Sequence, residues 1–503
     1  MHDDLTCPTH ALHKPMERTM KTANLLFIMS DEHNRRVMGC AGHPMVRTPS
    51  FDALAGRGVR FTDAYCNSPI CVPSRASFAT GRYFHEIGFW DNGIPYDGSV
   101  PSWGHRLNEA GLTAVSIGKL HFRSADDRNG FTEEVMPLHV VGGIGDLVGM
   151  IRDDTPPRKA ALRLGPEAGP GDSSYQRYDE RITDAAVEWL RQRAATAHSK
   201  PWVLFVSLVC PHFPLLSRPE WYELYPLDQV PWPMFYAMNE RPRHPFIDAM
   251  RRIAPYDDAF DEASVRRALV AYFGMVSFLD HNVGRLMHAL EESGLMETTR
   301  VIYTSDHGDN LGARGLWGKS NMYEDSVGIP MLMAGPDIPA GYVCREPVSL
   351  VDGFPTILDS AGVPRMASDA GLPGASLFDV IRGHTGPRTV FSEYHASGPV
   401  TGAFMVRRGR YKLIHYAGMP PQLFDLAADP WEANDLAGDP GFSGVLAACE
   451  ADLRAIADPE AIDARARRDQ RARIDAFGGR EAVLARGTFG HSPVPRETPV
   501  YTA

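Results

Sequence analysis

The chain of 503 residues has no apolar run near the roughly 18 residues needed to cross a bilayer, which excludes a membrane-spanning helix. Positive charge is in short supply: 51 Lys and Arg stand against 62 Asp and Glu, for a net charge of −11. That balance argues against nucleic acid or an anionic membrane as the main partner. Cysteine is sparse as well. Seven residues, at 40, 66, 71, 210, 344 and 449 and at position 7, form no close-spaced pairs, so neither a disulfide framework nor a zinc site is indicated. Internal repeats are absent. The first 20 residues, read as an N-terminal extension, lack the apolar stretch and small-residue cleavage site of a secretory signal, and a cytoplasmic location is expected.

What is present is an ordinary globular composition, 44% hydrophobic and 22% charged, arranged in a telling order. Short apolar runs alternate with amphipathic stretches, the pattern of a largely parallel sheet covered by helices on both faces. Strands are predicted at Asn24 to Met29, Thr113 to Ile117, Trp202 to Leu208 and Arg300 to Thr304. The clearest helix runs from about Glu262 to Leu290 on a stripe of Val265, Leu269, Tyr272, Val276, Leu279, Val283 and Leu286, which is read as core. Asp154 to Ser174 and Pro211 to Pro245 read as loops, the second long enough to cover a site. This α/β region, with its large mixed, mostly parallel sheet, is expected to span 21–385. A smaller α+β subdomain on a short antiparallel sheet follows over 386–476, with strands at Phe404 to Val406, Tyr411 to Tyr416 and Gln422 to Leu426 and a charged helix at Ala457 to Ala476. The extended tail, 477–503, is expected to contact a neighbouring copy in a homo-oligomer, a dimer or tetramer.

Ligands bind at the carboxyl ends of strands in such sheets, and each predicted strand is followed at once by a polar cluster. Ser30-Asp31-Glu32-His33 follows the first, Gly118-Lys119-Leu120-His121 the second, Pro211-His212 the third and Ser305-Asp306-His307-Gly308-Asp309 the fourth. Adjacent acids after one strand and Asp-His after another make a plausible divalent-metal site. The most informative stretch is Cys71 to Arg82, C-V-P-S-R-A-S-F-A-T-G-R. Its helix-like run stops at Gly81, placing Cys71 just before a helix N-terminus, where backbone N–H groups and the dipole favour negative charge.

The C-x-P-S-R motif followed by T-G-R resembles the type I sulfatases of the alkaline-phosphatase-like superfamily, in which the cysteine is oxidised to formylglycine. The resemblance implies that Cys71 is converted by a separate formylglycine-generating enzyme and acts as a hydrated aldehyde, one hydroxyl attacking sulfur and the other collapsing the intermediate. It implies metal ligation by Asp31, Glu32, Asp306 and His307, with Glu32 standing where the family more often carries Asp or Gln. Oxygen donors favour calcium and an imidazole favours manganese, so one divalent ion of either kind is expected. Arg75 is implied to hold the diol, and Lys119 and Lys319 to neutralise the sulfuryl oxygens. His212 or Lys319 is implied to protonate the leaving oxygen, and His121 to take the proton from the second hydroxyl as sulfate departs.

The segments W-D-N-G (90–93), S-I-G-K-L-H and S-D-H-G-D-N-L-G-A-R-G-L-W-G-K resemble the choline-sulfatase and arylsulfatase branch. A small aryl or alkyl sulfate monoester is therefore the expected substrate. Phosphonate monoester and phosphodiester hydrolases share the Asp-His pair and stand as the alternative, and the complete motif set argues against a silent sulfate-ester-binding protein. Trp90 either faces an aryl ring or quaternary ammonium or packs in the core. Asp91, Asn92 and Glu393 complete the expected substrate-binding set, Asp91 or Glu393 balancing a cation.

Overall fold

The protein was analysed as a computed structural model describing residues 21–196, 200–396 and 400–502; the expected extension 1–20 lies outside them. Its main sheet contains β1 (Asn24–Ser30), β2 (Gly58–Tyr65), β3 (Thr113–Lys119), β4 (Glu133–Leu138), β5 (Trp202–Ser207), β6 (Thr299–Ser305), β7 (Gly328–Ala334), β8 (Tyr342–Cys344) and β9 (Val348–Ser349). Their order is β8-β2-β7-β6-β1-β5-β3-β4, with β9 on β2. β7 runs antiparallel to both β6 and β2, and every other pairing in this sheet is parallel.

Strand periodicity explains the layering. In β1, Leu25, Phe27 and Met29 point into one apolar cluster and Leu26 and Ile28 into another, and Val203, Phe205, Leu204 and Val206 of β5 divide the same way. Both faces are therefore buried. One is covered by α2 (Ser174–Ala195) and α4 (Glu262–Glu292); the other by α1 (Cys71–Thr80), α3 (Pro245–Ile253) and α5 (Gly353–Ala361). The α4 helix matches its predicted stripe, and its start is fixed by Asp261, whose carboxylate accepts the Ser264 N–H at 2.8 Å.

The second sheet, β10 (Thr389–Tyr394), β11 (Ala403–Arg408), β12 (Tyr411–Tyr416) and β13 (Met419–Asp425), is antiparallel in sequential order. One face packs under α6 (Ser443–Ile456) through Cys449 and Leu453. From the other, Met405, Ile414 and Phe424 enter the same apolar cluster as Phe27 and Met331 of the main sheet. α7 (Pro459–Ala476) and α8 (Arg480–Arg486) follow.

The tail packs on its own chain: β14 (Thr488–Phe489) pairs with β15 (Tyr501–Thr502), and Val494 between them is buried against the α2 and α4 side of the sheet. The reason is local bonding, since the Tyr175 hydroxyl donates to the Ser492 carbonyl at 2.7 Å. The segment Asp154 to Ser174 also carries more structure than a plain loop, with helical turns at Lys159–Arg163 and Leu164–Glu167. Among the described residues no helix is long and apolar enough to cross a membrane.

Candidate active site

The carboxyl ends of β1, β3, β5 and β6 deliver the polar clusters to one place, where α1 begins. Cys71 is its first residue and is 2% exposed. The helix is fixed there by its own motif: the Ser74 hydroxyl donates to the Asp306 carbonyl at 2.6 Å, and the Val72 N–H donates to Asn92 Oδ1 at 3.2 Å. At its other end Gly81 closes the turn at φ 67°, with the Phe354 ring packed where a Cβ would stand.

Around Cys71 Sγ stand Lys319 Nζ at 3.3 Å, His307 Nε2 at 3.3 Å and Asp31 Oδ1 at 3.7 Å. Lys119 pairs with Asp31 Oδ2, and Lys319 Nζ lies 3.0 Å from Glu32 Oε2. Arg75 donates from Nε to Asp306 at 2.7 Å, from Nη2 to Asp31 at 3.3 Å and from Nη1 to the Lys119 carbonyl and Ser207 Oγ, both at 2.8 Å. Its guanidinium thus ties the two carboxylates to β3 and β5. His212 Nε2 sits 3.4 Å from Glu32 Oε2.

Asp31, Asp306, His307 and Cys71 bring one donor atom each within 4.8 Å of one another, and Asp31, Glu32 and His212 form an overlapping group. The donor set fits a divalent cation. Glu32 Oε1 is buried without a hydrogen-bond partner. The His307 Nδ1 lies 3.1 Å from the Gly308 carbonyl; donation there leaves the Nε2 lone pair for a ligand. Backbone strain accumulates here too, with Glu32, His121 and Ser320 held at φ 68°, 56° and 85°.

The electrostatics follow from burial opposed by specific charges. Burial pushes the Asp31 carboxyl up, but Lys119, His212, Lys319 and Arg75 together hold it well below the carboxylate range. Glu32 is pushed up to about 8 by burial, with only partial relief from Lys319. Burial lowers His307, and lowers His121 and His212 well below the ordinary imidazole value. The Cys71 thiol is pushed up to about 12, first by burial and then by Asp31.

A cavity of about 480 Å3 opens onto this group, lined by Cys71, Asn92, Lys119, His121, His212 and Lys319 among others. Three expected substrate-binding residues are elsewhere. Trp90 is fully buried, its indole N–H donating to Asp469 at 2.8 Å and its ring packed on Phe84 and His395. Asp91 accepts from Gly93 N and Gln470 Nε2, and Glu393 accepts from His85 and pairs with His395. None of the three lines the cavity. They fasten the segment after α1 to the second sheet and α7, so the packed-core alternative holds for Trp90, and neither acid is free to balance a ligand's cation.

The sequence reading passed over Asp309, which is buried, accepts the Leu311 and Gly318 N–H groups at 2.7 and 3.0 Å, and helps push Glu32 upward. It also passed over Tyr175 and the tail residues Phe489 to Pro493, which line the cavity. Asp309 was visible inside S-D-H-G-D; the tail carries no local signal.

A mostly parallel sheet whose strand ends gather a buried sulfur, carboxylates, lysines and imidazoles around a cavity defines an enzyme active site. The chain belongs to the sulfatase family: residues 23–363 match the family model "Sulfatase", and 312–458 match "N-sulphoglucosamine sulphohydrolase, C-terminal". It is 33% identical over 500 residues to a choline-sulfatase of Rhizobium meliloti (strain 1021), covering 95% of each chain. It is 30% identical to arylsulfatase K of Danio rerio, covering 86% of this chain and 84% of that one. Among solved structures, a complex with D-glucosamine-2-N,6-O-disulfate superposes with a TM-score of 0.70 at 24% identity, covering 88% of this chain and 99% of that one. The phosphonate monoester hydrolase of Agrobacterium radiobacter follows at 0.69 and 22%, covering 86% and 95%. These two likenesses establish the alkaline-phosphatase-like fold.

Proposed function

We propose that this sulfatase hydrolyses small aryl or alkyl sulfate monoesters with residue 71, matured from cysteine to formylglycine by a separate enzyme, as its nucleophile. The observation that carries the reading is the convergence on Cys71 Sγ of Lys319, His307 and Asp31 from separate strand ends. Burial and the nearby Asp31 push the Cys71 thiol up, which disfavours the thiolate as nucleophile. Formylglycine, when present, supplies a geminal diol that both attacks sulfur and releases it.

Asp31, Asp306 and His307, with Glu32 beside them, are the residues that would hold a calcium or manganese ion, which supplies Lewis acidity toward the ester oxygens. Geometry supports it: Asp31, Asp306 and His307 each bring a donor atom within 4.8 Å of the others, and Glu32 Oε1 is buried without a hydrogen-bond partner. Lys119 and Lys319, both on the cavity wall, neutralise charge on the transferring group. His212, on the same wall, would share with Lys319 the transfer of a proton to the leaving oxygen. Arg75 positions the two carboxylates, a role its contacts support better than holding the diol.

The test is kcat/KM on aryl sulfate, choline sulfate, aryl phosphonate monoester and phosphodiester, with conversion of Cys71 verified by peptide mass. A sulfate ester leading by well over tenfold, more than about 1.4 kcal/mol in the transition state, is the expected result. A leading phosphorus ester overturns it.

A further inference from the structure

A tail side chain bonds a histidine of the site. The Ser492 hydroxyl lies 2.8 Å from His121 Nε2, while His121 Nδ1 is buried without a hydrogen-bond partner. Both residues line the cavity that Cys71 lines. The His121 backbone is already constrained, since the N–H groups of Leu120 and His121 both donate to the Leu138 carbonyl, at 3.1 and 2.8 Å, and His121 sits at φ 56°. What remains to be set is the rotation and tautomer of its ring.

Ser492 is itself held. Its carbonyl accepts the Tyr175 hydroxyl, Tyr175 stacks edge-on against both His491 and His212 with centroids 5.1 and 5.8 Å apart, and Val494 anchors the next turn in the core.

We infer that Ser492 is a positioning residue for His121: its hydroxyl accepts the Nε2–H, fixes the ring plane and leaves the Nδ1 lone pair as the base. A histidine nitrogen's role is set by the bond its other nitrogen makes. The assignment rests on the sulfatase reading above. In the step concerned, Nδ1 takes the proton of the remaining hydroxyl on residue 71, the C–O bond to sulfate breaks, sulfate leaves with that bonding pair, and the aldehyde C=O re-forms. The first half of the reaction, transfer to residue 71 with release of the alcohol, does not use His121. Loss of Ser492 therefore slows the second half alone.

The experiment uses the full chain with converted Cys71, 4-nitrophenyl sulfate as probe, and the variants Ser492→Ala and Ser492→Thr. For Ser492→Ala, kcat is expected to fall roughly ten- to a hundredfold, the range for removing a group that orients a functional histidine. A burst of one nitrophenol per converted site is expected before the slow phase, and Ser492→Thr, which keeps the hydroxyl, is expected to restore kcat to within about threefold of the parent. A purely structural loss gives no burst and no rescue. An alanine variant within about twofold of the parent, a fall in kcat without a burst, or a threonine variant no better than alanine overturns the assignment. Parent protein silent on every sulfate overturns the sulfatase reading as well, so the two failures are separable.

Discussion

Two clusters of buried charge lie close together in sequence and have different fates. One gathers Asp31, Glu32, Asp306, Lys119 and Lys319 around Cys71; the other gathers Glu324, Glu432, Arg35, Arg314 and Lys412 where the second sheet meets the first. In the second, Lys412 Nζ lies 2.8 Å from both Glu324 Oε1 and Glu432 Oε1, and Tyr65 donates to Glu324 at 3.0 Å. None of these residues lines the main cavity. In the first, the cations face open volume. Burial of charge alone therefore does not mark a site; buried charge that opens on a cavity does.

The sharpest way to break this contrast is to delete the central group of each cluster. Cys71→Ala is expected to lower kcat/KM by roughly 10^4-fold or more while the thermal midpoint stays within a few degrees of the parent's. Lys412→Met is expected to do the reverse: it removes the cation that two buried carboxylates share and should cost about 3–5 kcal/mol of unfolding free energy in urea titration, with kcat per folded molecule unchanged.

Chelation separates the clusters by a different route. Prolonged dialysis against a chelator is expected to remove activity and lower the melting temperature, both restored by calcium or manganese, with no effect on a Lys412→Met unfolding curve beyond the same offset. The smallest effect is acid. Glu324 is pushed up by burial, but Arg35, Lys412 and Arg407 overcome this and hold it well below the usual glutamate range. Its stabilising contribution is therefore complete above about pH 4.5 and is lost progressively below that. Circular dichroism melts from pH 6 to 3 should show this loss shrinking in Lys412→Met.

Much of the arrangement was legible because it is local. Cys71, Ser74 and Arg75 lie within one turn or two of helix, and Asp31 and Asp306 follow runs whose apolar character announces buried parallel strands. Which strand of the expected mixed sheet runs in reverse was not legible, because the G-I-P-M-L-M-A of β7 is equally apolar in either direction. Trp90 sits in a motif that resembles the choline-sulfatase branch and Glu393 is an acid that could balance a cation, yet burial decides their part, and burial is a property of distant packing. Ser492 meets His121 across 371 residues, a contact with no periodicity or composition behind it.

That last separation has a bearing on biosynthesis. A chain leaving the ribosome from its N-terminus has β1, Cys71, Lys119 and both long helices available while the segment that walls the cavity is still to be made. The main sheet can also not close on its own, since Met405, Ile414 and Phe424 share its core. The rim of the cavity is completed only when residues 489–493 have been made.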